Sequence, residues 1–465
     1  MSETAPLPEP VLPASILERW IGRPPSQFTV EDLVETCRER RIRLVSLMHV
    51  AGDGQLKTLD FIPRSPSHLK DVLQGGERAD GSSLFPGTGL PSGASDIVLR
   101  PRPERAFLDP FSPYPTLAVL CGHLTRKGEP LPQSPDTIVR RAHQRILRDY
   151  EVDLHALGEV EYFLGLSQAQ GEATGKSERG YHATAPFVFG EELRRRALVL
   201  LGEMGIPVKY GHSEVGYIEP DESQPVTWEQ HEVEMDLLPL PEAADAVALV
   251  HWVLKNLAAR HGMRLSFEPI VRVGHAGSGL HFHFSPMLGG RHVGGRDGDG
   301  GFSPPAKWLI AGLVRLGGAL MAFGNRREGS FIRLSQAKEA PSTVAWGEAD
   351  RGALIRLPVT VRATDGRLIT VPTIEFRLPD GSAHPHFLLA GAAQALAFGA
   401  TIEDLDDLLA RTESRRVRAQ PGEARPIPKT FAEVGEELAR RRGALEAGEV
   451  FPPALLDLVT RTRPA

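Results

Sequence analysis

With 465 residues, 41% of them apolar, and a formal net charge of −6, the chain can build a large core and offers no global attraction to nucleic acid or to anionic lipid. Single cores stop growing near about 250–300 residues, so two domains are expected. The only thiols, Cys37 and Cys121, exclude a disulfide framework and a cysteine zinc cluster; with no run approaching the ~18 apolar residues of a membrane span, no membrane association and a reducing cytoplasmic home are expected.

Residues 1–15 are acidic and proline-rich, which suits a loose tail rather than a signal peptide. The arginine-rich pieces at 38–43 and 440–442 sit among or just after glutamates and fit solvated helix faces. Residues 43–61 read as two short strands joined by the glycine turn Ala51-Gly-Asp-Gly54, the start of a small β-rich domain. Gly, Ser, Pro and Asp dominate residues 75–95, which predicts a long loop. Ser134-Pro135-Asp136 opens a helix running to Tyr150, and the domain boundary is placed just before it: a tail and N-terminal domain over 1–133, a second domain over 134–465. Further helices are predicted at 191–204, 241–261 and 387–398, the second starting at Pro241 and stopping before Gly262, with a glycine-rich loop at 289–301.

Four predicted strands carry charged or imidazole side chains two apart, with apolar residues between them. Along a strand such pairs share a face, so Glu159 goes with Glu161, Glu232 with Glu234, His281 with His283, and Glu375 with Arg377. Val160, Val233, Met235, Phe282 and Phe376 take the opposite, apolar face. One such pair alone would be the solvent side of an amphipathic strand. Four together describe an open barrel or curved sheet with a polar lumen. Concentrated carboxylates repel one another unless cations neutralise them, and oxygen donors with one or two imidazoles favour Mg²⁺ or Mn²⁺.

Arg333, Arg351 and Arg356 lie in apolar, strand-like company, where a guanidinium either closes a structural ion pair or grips carboxylate or phosphate. The sequence contains no Gly-x-x-x-x-Gly-Lys-Ser/Thr loop, so any nucleotide would be held by metals and arginines.

These residues, in this order, resemble the bacterial type of glutamine synthetase. The matching blocks are Asp80-Gly-Ser-Ser83 with Ser95-Asp96; Glu159-Val-Glu161; Gly180-Tyr181 leading to His212-Ser-Glu214 and Gln230-His-Glu232; Gly277-Ser-Gly-Leu-His-Phe-His283; and Arg333 through Glu339-Ala-Pro to Arg351, Arg356 and Ile374-Glu-Phe-Arg377. The resemblance implies an α+β protein with a β-grasp N-terminal domain and a catalytic domain of curved antiparallel strands backed by helices. It also implies rings of subunits, a dodecamer being expected, with active sites shared between neighbours.

On the same resemblance Glu161, Glu214 and Glu232 match the ligands of one metal, and Glu159, His281 and Glu375 those of a second. Arg333 and Gly277 match amino-acid-binding positions, while Arg351 and Arg377 match those steadying a transferring phosphoryl group. His283, Ser285 and Arg356 fall on the nucleotide side. Asp80 from a neighbouring subunit, Ser83, Tyr181, Glu214 and Glu339 match an ammonium pocket, Glu339 on a flap. The implied chemistry is ATP-dependent phosphorylation of glutamate followed by attack of ammonia. Three features depart from the family pattern: Ala276 where an asparagine is expected, Thr370-Val-Pro-Thr373 in place of basic residues, and an apparent insertion over 217–226. They leave room for a larger amine as nucleophile; a non-catalytic relative is the third reading, against which stand all six matched metal ligands.

Overall fold

The computed structural model describes residues 15–90, 93, 95–167, 175–222, 224–296, 300–336, 340–366, 368–420 and 425–461. It is an α+β structure with two sheets. The first contains β1 (Leu44–Val50), β2 (Leu56–Phe61), β3 (Glu77–Asp80), β4 (Asp96–Leu108) and β5 (Thr116–Thr125), in the order β2-β1-β5-β4-β3. β1 and β5 run parallel in the middle, and the other pairs are antiparallel, the β-grasp arrangement expected. Helices Val30–Glu39 and Pro66–Gly75 pack together beside this sheet, the former fixed at its start by a reciprocal Thr29–Asp32 capping box.

The predicted loop over 75–95 requires correction. It contains β3, antiparallel to β4, followed by the helical turn Gly81–Leu84. Glu77, Arg78 and Asp80 face solvent on an edge strand, so their polarity mimics a loop; only Ala79 turns inward, toward Phe85, Ile97 and Leu131.

The second sheet has ten strands: β6 (Asp153–Ser167), β7 (Val208–Ile218), β8 (Val226–Met235), β9 (Leu238–Pro239), β10 (Arg264–Ser266), β11 (Leu280–Leu288), β12 (Arg291–His292), β13 (Trp346–Glu348), β14 (Ile355–Leu357) and β15 (Ile374–Phe376). Its main path is β13-β14-β15-β11-β6-β8-β7, antiparallel except for the β13–β14 pair. The apolar face of these strands packs under helices, Val160, Val233, Met235, Phe282 and Phe376 all entering one core. Gly158 makes that packing close: a Cβ there would stand 3.0 Å from Met235 Cε and 3.2 Å from Val247 Cγ2 of helix Leu240–Arg260. Tyr217 and Ile218 end β7 and Val226 opens β8, so the segment read as an apparent insertion over 217–226 joins the two strands of a hairpin.

Helices Glu191–Glu203, Leu240–Arg260, Pro304–Gly324 and Pro385–Gly399 back the sheet. Pro304–Gly324 is long and apolar enough to cross a membrane, but 72% of its most apolar window is buried inside the protein. It lies so close to Pro385–Gly399 that a Cβ on Gly312 would fall 1.9 Å from the Ala395 carbonyl oxygen. The two sheets are joined by apolar contact, Phe107 and Phe111 meeting Trp252 edge-on, and by buried charge. Arg102 of β4 donates to Asp245 at 2.8 Å, and His386 approaches the other oxygen of that carboxylate at 3.1 Å.

Candidate active site

Strand register assembles the polar lumen. Glu159 stands opposite His281 across β6–β11 and opposite Glu234 across β6–β8, while Glu161 faces Glu232. Glu232 in turn faces His212 across β8–β7, and Glu375 faces His283 on one side and Arg356 on the other. With a side-chain period of two, all of these project from one face of one sheet. They line a cleft of about 870 Å³.

Thirteen of the residues singled out from the sequence line this cleft: Glu159, Glu161, Tyr181, Glu214, Glu232, Gly277, His281, His283, Arg333, Arg351, Arg356, Glu375 and Arg377. Three do not. Asp80 and Ser83 sit at the far edge of the first sheet, where the Asp80 carboxylate accepts from Ser82 N at 2.9 Å, Ser83 Oγ at 2.6 Å and Ser95 Oγ at 2.7 Å. Ser285 is buried, its hydroxyl 2.9 Å from His292 Nδ1 and donating to Pro372 O at 3.1 Å. Glu339 lies outside the described residues. The strand-like setting expected for Arg333 is also corrected: it belongs to helix Glu328–Ser335, and its guanidinium donates to the carbonyls of Leu378 and Pro379, both at 3.2 Å.

His281 Nδ1 lies 3.0 Å from Glu159 Oε2 and 3.8 Å from both Glu161 and Glu375. Its Nε2 is 3.3 Å from Arg333, which can only donate, so Nε2 accepts and Nδ1 carries the proton toward Glu159. His283 Nε2 meets the other Glu159 oxygen at 2.9 Å, its Nδ1 resting 2.9 Å from Thr373 Oγ1. Glu375, fully buried, accepts from Arg356 at 2.8 Å and from Arg377. Glu161 accepts from Gln230 Nε2 and from Gly279 N, each at 2.8 Å. Gly279 is required here, because a Cβ would fall 2.5 Å from His281 Nε2 and 2.9 Å from Arg333.

Burial, reinforced by the charges of Glu159, Glu161, Glu214 and Glu234, pushes the Glu232 carboxyl well above its ordinary range. Burial likewise raises Glu161, with Glu214 adding to the effect against His281. Burial acts to raise Glu159 too, but His283 and His281 overcome it and hold that carboxyl low. Glu375 is held low in the same way by His283 and Arg377. Carboxylates that strain against one another in this way, with imidazoles among them, suit divalent cations. Three sets of donor atoms lie within 4.8 Å of one another: Glu159–His283–Glu375, His212–Glu214–Glu232 and Glu159–Glu232–Glu234.

The sequence reading thus assigned no role to several cleft residues, namely Glu178, Lys209, Tyr210, His212, Gln230 and Glu234. For His212 and Glu234 the signal was present, each standing two residues from a matched ligand. Glu178 carried none: it reaches the site from a connecting segment, accepting from Ala276 N at 3.0 Å and lying 3.2 Å from His275 Nδ1.

The family model "Glutamine synthetase, catalytic domain" matches residues 132–458. The chain belongs to the glutamine synthetase family. It is 30% identical to the glutamine synthetase of Azotobacter vinelandii over 91% of this chain and 93% of that one, and 27% identical to that of Vibrio cholerae over 92% and 94%. Among solved structures it resembles Plasmodium falciparum glutamine synthetase, with TM-score 0.76 and 17% identity over 93% of this chain and 94% of that one. It also resembles GmaS, solved as an ADP complex, with TM-score 0.72 and 20% identity over 92% and 94%. As a glutamine synthetase-family ligase it belongs to a group that is in general ATP- and divalent metal-dependent, oligomeric and active on small molecules.

Proposed function

We propose that this chain is an ATP-dependent carbon–nitrogen ligase that converts the side-chain carboxyl of glutamate to an acyl phosphate and passes the acyl group to ammonia. The convergence of Glu159, Glu161, Glu214, Glu232, His281 and Glu375 on one cleft supports this reading most strongly. The relative solved with ADP supports a nucleotide in the same fold. Glu161, Glu214 and Glu232 would hold one divalent cation and Glu159, His281 and Glu375 a second, with His212, His283 and Glu234 close enough to contribute. Bound Mg²⁺ or Mn²⁺ would supply neutralisation of phosphate charge.

The chain's own groups cover the remaining needs. Arg333 is buried, and its guanidinium is already oriented by the Leu378 and Pro379 carbonyls, which presets its fork for the substrate carboxylate. Arg377 and Arg356, tied to Glu375, and the more exposed Arg351 present positive charge where a transferring phosphoryl group spreads negative charge over its oxygens. His283 adds a donor on that side. Ammonium must shed a proton before attack, and Glu214 and Tyr181 are the acceptor and the wall available within one subunit. Asp80 and Ser83 would complete that pocket from an adjacent subunit of a ring, a dodecamer in the simplest case, and Glu339 would close it. Ser285 would act only indirectly on the nucleotide side. The N-terminal unit is assigned to residues 1–133 and the catalytic unit to 134–465, in a cytoplasmic enzyme.

A larger amine as nucleophile is the second reading. Ala276 offers no side-chain amide, Glu178 stands at its backbone NH, and Tyr181, 48% exposed, stacks on His182 with ring centroids 4.2 Å apart beside His212. An acidic group beside an aromatic wall suits an organic ammonium ion. Phosphate release from ATP, measured with glutamate and a panel of amines that includes ammonium, separates the two. Release with ammonium at the highest kcat/KM supports the first reading, release only with larger amines supports the second, and no release with any pair removes both.

A further inference from the structure

Glu178 reaches the catalytic cleft from a segment outside the strands that build it. Residues 178–182 lie along the edge of β7 that β8 leaves open, where Glu178 N donates to Tyr217 O at 3.3 Å, Gly180 N to Val215 O at 3.2 Å and His182 N to Ser213 O at 2.9 Å. Gly180 permits this approach, since a Cβ there would fall 2.4 Å from Glu214 O. Glu178 itself has φ +54°, in the left-handed region that favours glycine, so a glutamate persists there only because its surroundings hold it. The turn before β11 does so through both carboxylate oxygens. Oε2 accepts from Ala276 N at 3.0 Å, and Oε1 lies 3.2 Å from His275 Nδ1.

The backbone that fixes this anion also adjoins Arg333. A Cβ on Gly277 would stand 3.0 Å from Arg333 Cγ, so the dipeptide Ala276-Gly277 touches Glu178 through its first residue and Arg333 through its second. All four residues line the cleft. Arg333 presents a guanidinium oriented by the Leu378 and Pro379 carbonyls, and Glu178 presents a negative charge across the dipeptide from it. Opposite charges arranged in this way complement a ligand that carries a carboxylate and an ammonium group on one carbon. A plain dicarboxylate bound at Arg333 would face the Glu178 charge with no cation of its own to offset it, and like-charge juxtaposition of that kind is how a site rejects a wrong ligand. Ala276 has no polar side-chain atom to make the distinction, and the strained segment brings one from elsewhere in the chain.

We infer that Glu178 is a specificity-determining residue that binds the α-ammonium group of the acid substrate, so that Arg333 and Glu178 together admit an α-amino acid and reject the matching dicarboxylate. The inference rests on the ligase reading and names the class of acid that the site accepts. Its test is the initial rate of phosphate release from ATP by the full-length protein with glutamate and with glutarate, at a saturating concentration of whichever amine, ammonium included, supports release. The unaltered protein should prefer glutamate by about 100-fold or more in kcat/KM. Glu178→Gln keeps an acceptor for Ala276 N and removes the charge; it should raise the KM for glutamate about tenfold with little change in kcat, and lower the preference over glutarate about tenfold or more. Glu178→Gly suits the left-handed backbone, so it should lose the same preference while its thermal midpoint stays within a few degrees of the unaltered protein. Release by the unaltered protein combined with equal use of glutarate, with an unchanged preference in both variants, or with a rise confined to the KM of the amine overturns this inference alone, the last result placing Glu178 at the nucleophile. No release by the unaltered protein with either acid and any amine overturns the ligase reading, and this inference with it.

Discussion

Glu375 shows how closely charge is balanced in the cleft. Its buried carboxylate holds Arg356 and Arg377 at once, so removing it would strand two cations and confound chemistry with folding. Glu375→Gln keeps the shape, and activity is expected to fall at least about 100-fold while the thermal midpoint moves only a few degrees; parallel assays of phosphate release and thermal unfolding check this. Activity unchanged in Glu375→Gln would remove it from the metal set. Arg333→Lys retains charge but not the fork that Leu378 and Pro379 orient, so a rise in the KM for the amino acid of about tenfold or more is expected, with a smaller effect on kcat, read from initial rates. A kcat loss with KM intact would place Arg333 on the phosphoryl side instead.

At the level of elements, the contact between the two sheets carries buried titratable groups outside the cleft. His49 of β1 and His123 of β5 lie 3.0 Å apart nitrogen to nitrogen, and His123 continues to Ser134 Oγ at 2.8 Å. Burial lowers both, His49 to about 4, where Lys57 adds to the effect, and His123 to about 3, where the His49 imidazole adds to it. Their folded-state values lie below the ordinary histidine value, so the unfolded chain takes up protons first. Stability is complete above pH ~6.5 and falls as pH drops toward 4, by up to about 1.4 kcal/mol per pH unit for each histidine. Denaturant titrations at pH 7.5, 6 and 5 should show this slope, and His123→Gln should flatten it; an equal slope in the variant would contradict the assignment.

The elements also show what a sequence can convey. Strands with Glu-x-Glu, His-x-His and Glu-x-Arg were legible because charge at a period of two on an otherwise apolar segment has few structural explanations, and the helix over 240–260 because proline, glycine and an apolar stripe agree. β3 was not, because an edge strand hydrogen-bonded on one side carries solvent-facing polar residues like those of a loop. The Arg333 helix was missed because Phe331-Ile-Arg-Leu334 is short and apolar, a pattern that does not separate strand from helix. Strand order is set by pairings far apart in sequence, so which carboxylate meets which imidazole emerged only from the register of β11 on β6 and of β15 on β11.

For the whole molecule, the ring proposal turns on Asp80 and Ser83, which lie outside the cleft of their own subunit and, in that proposal, would complete the site of a neighbour. Subunits carrying Asp80→Ala and subunits carrying Glu161→Gln are each expected to be nearly inactive alone. Mixed before assembly, they should recover measurable activity, because some interfaces then pair an intact Asp80 with an intact metal cluster. Absence of recovery in demonstrably mixed oligomers would place Asp80 outside the shared site. The single most direct measurement is titration of the full-length protein with Mn²⁺ by isothermal calorimetry, alongside Glu161→Gln and Glu375→Gln. Two saturable sites per chain, one weakened about tenfold or more by each substitution, are predicted. Failure to bind Mn²⁺, or binding unaltered in both variants, would contradict the claim that the polar face of the second sheet is a two-cation catalytic centre.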